Sequence, residues 1–163
     1  MGRKSIRENK NEYQLAREDA GFTRAEAAEL MEYMSESRIE KIESEKSEPH
    51  PDEIIAMAAA YKKPALCNYY CSTKCPLGQA SVPKVESKDL SQITLEMLAT
   101  LNSLDKEKDR MIEITADGLI SDDEMEDFSR IRKQLTQISA IVDSLQLWID
   151  NTVISGKMDP SKL

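Results

Sequence analysis

The chain has 163 residues, of which 40% are apolar, and its 22 basic and 30 acidic side chains give a formal net charge of −8. This length fits one or two small domains and excludes a large enzyme. With only 5 Gly, 6 Pro and 2 Phe, the composition favours helices. The negative charge is unusual for a nucleic-acid-binding protein, for which a basic surface is expected.

No apolar run approaches the roughly 20 residues that span a bilayer, and the N-terminus MGRKSIRENK lacks the apolar stretch of a signal peptide. The three cysteines fall within nine residues, which argues against a secreted disulfide framework. We therefore expect a cytoplasmic protein without a membrane partner. One His, no glycine-rich phosphate loop and no visible nucleophile–base pair indicate that it is not an enzyme.

A break in helical periodicity divides the chain into two unlike halves. The stretch from Leu77 to Lys88 contains Gly78, Pro83 and several small polar residues, which are typical of a linker. The expected parts are an N-terminal domain at 1–76, a linker at 77–88, a helical hairpin at 89–155 and a tail at 156–163.

The first half contains start and stop signals for five short helices. Asn11 to Ala20 is expected to form a helix that ends at Gly21. Thr23-Arg-Ala-Glu26 has the pattern of a capping box, and Ser35 suits the N-cap of a third helix. Pro51 and Pro64 are expected at the starts of the fourth and fifth helices. The apolar spacing predicts these inward side chains, among others: Tyr13, Ala16, Ala27, Leu30, Met31, Ile39 and Ile42.

The second half predicts two long helices, the first from Leu90 to Met111. The second carries an uninterrupted heptad stripe, formed by Phe128, Ile131, Leu135, Ile138, Val142, Leu145 and Ile149. We expect an antiparallel hairpin and an all-α fold. The first helix covers one side of the stripe, and Ile141 and Trp148 beside it are then left for a second chain. The hairpin at 89–155 is therefore expected to form a homodimer.

An ordered series of short motifs runs through residues 13–61. They are Ala16-Arg17, Gly21-Phe-Thr-Arg24, Glu26-Ala-Ala-Glu29, Ser35, Ile39, Ile42-Glu43, Lys46, Pro49 and Ile54-Ile-Ala-Met-Ala58. In this order they resemble the Cro/CI-type helix-turn-helix domain of phage repressors and many bacterial regulators, the XRE family. Two departures concern turns: Leu30 to Met34 lacks the family's glycine and holds about one extra residue, and Ser44-Glu45 replaces Asn-Gly.

The resemblance implies which residues contact double-stranded DNA. The helix from Glu36 to about Ser44 corresponds to the recognition helix in the major groove. The matching base-contact positions are Glu36, Ser37 and Lys41, with Arg38 nearby, and Arg24 matches a position that clamps phosphate and base. Arg17 and Glu43 match a structural salt bridge between the first and third helices. The alternative to the DNA contacts is a solvated helix face. The alternative to the salt bridge is that Arg17 and Glu43 are two unrelated surface charges. A basic N-terminal arm is expected on phosphates: Arg3, Lys4, Arg7 and Lys10.

The cysteine segment allows three interpretations. Cys67, Cys71 and Cys75 are spaced by four residues, which places them on one face of a helix. We expect them to serve in packing and expect no cofactor, while redox chemistry and a metal site with His50 as fourth ligand remain alternatives. His50, between two prolines, is expected to be an N-cap or surface residue.

Three functions follow from these patterns. We expect a sequence-specific DNA-binding transcription regulator that acts as a homodimer. The acidic recognition helix and altered turn also fit a protein-interaction module on a helix-turn-helix fold, such as an anti-repressor or an antitoxin-like protein. The third hypothesis is a regulator that senses metal or redox state through its cysteines.

Overall fold

A computed structural model describes residues 9–162, and every regular element in this part is a helix. The helices are α1 (Glu12–Asp19), α2 (Arg24–Leu30), α3 (Glu36–Glu43), α4 (Pro51–Ala60), α5 (Ala65–Thr73), α6 (Pro76–Ser81), α7 (Leu90–Ile114) and α8 (Met125–Ile154), followed by a 3-10 turn at Pro160–Lys162. The prediction of an all-α fold is confirmed. In the described part, no helix is both long and apolar enough to cross a membrane.

The described residues form two compact units. Those up to Lys84 and those from Asp150 onward belong to the first, and Val85–Ile149 form the second. The first unit has a core drawn from α1 to α5, in which the most buried side chains include Tyr13, Ala16, Ala27, Ile39, Ile42, Ile54, Met57 and Leu66. Leu30, which the spacing placed inward, is instead 54% exposed at the end of α2.

Side-chain caps start the first three helices, and those of the second and third lie where the sequence signals predict them. The Asn11 side chain accepts from the backbone of Gln14 at 3.0 Å, and the Ser35 hydroxyl caps α3. At α2, Thr23 and Glu26 form the complete capping box. Each cap satisfies a backbone N–H that has no partner inside its helix. These local bonds fix where each helix begins, and thus which face it turns to the core.

A sixth helix forms where the sequence predicts a linker. Pro76 begins α6, and its Gly78 lies directly on the backbone of α5. A Cβ at Gly78 would lie 2.1 Å from the carbonyl oxygen of Cys71, so only glycine permits this approach. Proline and glycine signalled a loop, whereas here they start a short helix and allow it to approach a neighbour.

The second unit is a hairpin of α7 and the part of α8 up to Ile149. Three cross-helix contacts establish the antiparallel register: Arg110–Asp127, Glu107–Arg130 and Ser103–Gln134. Ile93, Ile114 and Ile131 are each 1% exposed.

The assignment of the flanks of the α8 stripe was wrong. Ile141 is already buried within one chain (7% exposed), and Trp148 is half-buried. Leu135 and Val142, which belong to the stripe, are 43% and 51% exposed. Since α7 approaches the opposite flank from the one expected, the apolar surface left over is that of Leu135 and Val142.

Candidate nucleic-acid interface

A short turn holds α2 and α3 at a fixed angle. Met31 and Met34 are buried in the turn, and Glu32 between them has a φ of 47°. This left-handed conformation favours glycine, and here Glu32 adopts it. The Tyr33 hydroxyl donates to the carbonyl oxygen of Asp52 at 2.9 Å, which ties the turn to α4.

One face of α3 is buried and the other is exposed. Ile39 and Ile42, at 0% and 1% exposure, lock the buried face into the core. The exposed side chains are Glu36, Ser37, Glu40 and Lys41. Lysine donates to guanine edges, serine donates or accepts, and glutamate accepts from cytosine. The exposed face of α3 therefore carries groups that are chemically able to read base edges.

A buried carboxylate joins the first three helices. Arg17 Nε and Nη2 donate to the two carboxylate oxygens of Glu43 at 2.6 and 3.0 Å, and Arg24 Nε donates to Oε2 at 2.8 Å. The Glu43 side chain is 1% exposed and that of Arg24 is 32% exposed. Two guanidinium groups compensate the buried charge, and removing one partner from such a group is costly. Arg17 and Glu43 thus lie in contact, while Arg24 is shared between this cluster and solvent.

Arg38 lies against α4 and away from the exposed face of α3. Its Nε and Nη2 donate to the two oxygens of Glu53, each at 2.6 Å, and Nη2 also reaches the Glu48 carbonyl at 2.9 Å. Its Nη1 donates to the Ser47 hydroxyl. The hydrogen bond from Arg38 lowers the pKa of Glu53, which also accepts from the backbone N–H of His50 at the start of α4. Arg38 therefore positions α3 on α4.

Sequence reasoning missed the bond from Arg24 to Glu43 and the pair of Arg38 with Glu53. A signal was present for the second pair, because each residue directly precedes a buried isoleucine, Ile39 or Ile54. Charged side chains next to inward positions on consecutive helices lie where they can meet. No comparable sequence signal indicated that Arg24 would bond to Glu43. The family resemblance assigned Arg24 to DNA instead.

The surface around α2 and α3 is acidic. Residues 23–48 contain eight Glu, no Asp and four basic residues. Two of the four, Arg24 and Arg38, donate to the buried carboxylates of Glu43 and Glu53. Lys41 and Lys46 are exposed. The attraction of this surface for phosphates is therefore weak unless the N-terminal arm adds to it.

The predicted basic arm lies mostly outside the described part of the chain. Arg3, Lys4 and Arg7 lie outside the described residues, which begin at position 9. The Asn11 amide donates to the carbonyl oxygen of Ile42 at 2.9 Å. Lys10, also expected on phosphate, is paired with Glu18 at 2.7 Å. The described chain thus starts beside the end of the helix that carries the exposed Lys41.

The three cysteines lie on α5 and at the start of α6, and all are half-buried free thiols. Burial raises the pKa of Cys67, which lowers the fraction of reactive thiolate. In the described part, no three His, Cys, Asp or Glu side chains come together as a metal-binding group. His50 is exposed at the N-cap of α4. Packing remains the favoured interpretation of this segment.

One family model matches the domain that carries the exposed face of α3. Residues 14–66, about a third of the chain, match the model described as Helix-turn-helix. No curated protein and no solved structure matches the chain. The match supports a DNA-binding regulator of the XRE type as the class of function. The N-terminal domain of this chain is a helix-turn-helix domain of the Cro/CI type, the XRE family.

Proposed function

We propose that this protein is a sequence-specific DNA-binding transcription regulator that acts as a homodimer in the cytoplasm. The observation that carries the proposal is the exposed face of α3, which presents Glu36, Ser37 and Lys41 while Ile39 and Ile42 are buried. In a helix-turn-helix domain this face enters the major groove. Two copies related by a two-fold axis would then read an inverted repeat.

The proposed contacts divide by chemistry. Lys41 and Ser37 donate to base edges, and Glu36 accepts from a cytosine amino group. Arg24 reaches phosphate with the part of its guanidinium that faces solvent, while its Nε stays on Glu43. Arg3, Lys4 and Arg7 add phosphate contacts from the arm. Arg38 is not among the proposed contacts, because Glu53, Ser47 and Glu48 accept its hydrogen bonds.

Retention of genomic fragments by the purified protein at near-physiological salt tests this proposal. We expect enrichment of fragments that share an inverted repeat, and loss of that enrichment in Lys41→Ala. Lys84→Ala is the matched control, since it removes the same charge from an exposed position outside the matched domain. Metal content is measured on the same sample, so that a metal-dependent regulator is detected. Absence of any enriched sequence would refute the proposal.

The acidity of the α2–α3 surface favours one second candidate, a protein-interaction module on the same fold. Seven of the eight Glu side chains between 23 and 48 lie outside the buried core, and such a surface attracts a basic partner better than it attracts DNA. Retention of DNA only at low salt and without sequence preference would support this candidate.

A further inference from the structure

The two sides of the α7–α8 hairpin differ in chemistry. One side carries hydrogen bonds between the helices: Arg110 Nε donates to Asp127 at 2.7 Å, and Gln134 Nε2 donates to the Ser103 hydroxyl at 2.9 Å. Arg130 adds an ion pair with Asp127 and Glu107. These bonds join the two helices within one chain, and on this side Oε1 of Gln134 is buried without a hydrogen-bond partner.

The other side is mainly apolar on both helices, with Lys108, Ser139 and Gln146 as polar exceptions. A residue four positions after an inward residue is rotated by about 40° around its helix, as Leu135 is relative to Ile131. Viewed from one end of the hairpin, the two antiparallel helices turn in opposite senses. Such residues of α7 and α8 therefore lie on the same side of the hairpin. We call this the hairpin apolar side, formed by Leu90, Met97, Leu101, Leu104 and Met111 of α7 with Phe128, Leu135, Val142 and Ile149 of α8. Five of these nine are 38–51% exposed: Leu90, Leu101, Met111, Leu135 and Val142.

The extent of this side matches the size of a dimer interface. From residue 90 to residue 111 a helix rises about 32 Å, and two helices side by side are about 20 Å wide, which gives on the order of 600 Å². Two such faces bury about 1,200 Å² in total, the lower bound of a specific, stable interface. A face of this extent is at the upper end of the apolar patches that monomers expose, and such patches often mark interaction sites.

From this geometry we infer that a second copy of the chain covers the hairpin apolar side, so that two hairpins form a four-helix bundle. The inference rests on the proposed homodimer and names its contact surface. A two-fold axis places the same patch against itself, and two hairpins enclose the core that one hairpin lacks. The polar side with Arg110 and Asp127 then faces outward, as does Gln137, which is exposed.

Light-scattering mass of the full chain at tens of micromolar tests this inference. The wild type is expected at twice its 18.4 kDa chain mass. Val142→Asp and Leu101→Asp, one on each helix, are each expected to raise the dimer dissociation constant roughly 100-fold or more, because the charge has no partner in the interface. Gln137→Asp introduces the same charge on the opposite side and is expected to leave the dimer intact.

Helical circular dichroism separates loss of association from loss of folding. Val142 and Leu101 are 51% and 45% exposed in one chain, so both variants are expected to remain helical monomers. A wild-type dimer that survives both substitutions overturns the assigned surface but leaves the homodimer standing. A monomeric wild type overturns the surface and the homodimer together, while sequence-specific DNA binding is judged separately by fragment retention.

Discussion

Arg38 and Glu53 form a bidentate ion pair, with both nitrogen–oxygen distances at 2.6 Å. The pair joins the helix with the exposed reading face to the helix that follows it. Because Glu53 also accepts from the backbone of His50, the same carboxylate fixes the start of α4. The angle at which α3 presents Ser37 and Lys41 therefore depends on a pair outside the reading face.

Replacing Arg38 tests this structural role. Arg38→Ala is expected to lower the free energy of unfolding by about 1–3 kcal/mol, since it leaves the buried carboxylate of Glu53 without its partner. Lys41→Ala on the same helix is the control, and a change within about 0.5 kcal/mol is expected there because the side chain is exposed. Urea denaturation measures both values. If the two substitutions changed the free energy of unfolding equally, the assignment of Arg38 to positioning α3 and of Lys41 to base contact would be contradicted.

The ion pair also predicts a pH dependence. The hydrogen bond from Arg38 holds the pKa of Glu53 below its ordinary value of 4.5. A lowered pKa means that the carboxylate contributes stability above about pH 4.5, and that this contribution is lost as the pH falls through the folded-state pKa. The stability difference between wild type and Glu53→Gln should be constant near neutral pH and shrink below pH 4.5. A difference that stays unchanged down to pH 3 would contradict the pair.

Two substitutions separate the proposed contacts on DNA. Lys41→Ala is expected to cost about 1–3 kcal/mol in binding to a selected site and to relax preference at one base position. Arg24→Ala is expected to weaken binding to all sequences alike. It should also reduce the slope of log binding constant against log salt concentration by about 0.9, the value of one phosphate contact. Both variants are expected to remain folded, although Arg24→Ala takes one of two guanidinium partners from the buried Glu43 and should lower the free energy of unfolding. Unchanged affinity in both variants would mean that α2 and α3 do not dock in the proposed way.

The contact between α5 and α6 requires a residue without a Cβ at position 78. Gly78→Ala forces the two helices apart because the new Cβ would meet the carbonyl oxygen of Cys71. Such overpacking costs about 1–3 kcal/mol. The matched control is Leu77→Ala, since Leu77 is 82% exposed and should tolerate the change. Thermal unfolding followed by circular dichroism measures both, and equal melting temperatures would show that α6 does not pack on α5.

Local signals predicted the first three helices well because their boundaries rest on short-range bonds. Thr23, Glu26 and Ser35 lie within three residues of the backbone groups they cap, so the pattern and the structure report the same interaction. The family resemblance of residues 13–61 is confirmed over most of its length by the match at 14–66. The sequence did not predict α6. Its Gly78 is needed for a close approach to the backbone of Cys71, seven residues earlier, and no local pattern reports that contact.

Long-range geometry accounts for the other differences. The heptad stripe on α8 predicts a hairpin, and the structure contains one. The pattern does not reveal which flank α7 covers, because Ile141 and Val142 are equally apolar neighbours in the sequence. Arg38 directly precedes the inward Ile39, and this position alone does not decide between a base contact and a bond to Glu53. In both cases the outcome depends on the rotation of a helix about its axis, which adjacent helices determine.

The ratio of specific to non-specific DNA affinity tests the central claim most directly. It compares the dissociation constant for an enriched inverted repeat with that for a scrambled duplex of equal composition, at near-physiological salt. A specific regulator is expected to prefer the repeat by about 10³-fold or more, with two chains per duplex. Equal affinity for the two duplexes, or binding that disappears above low salt for both, would contradict sequence-specific DNA recognition by this protein.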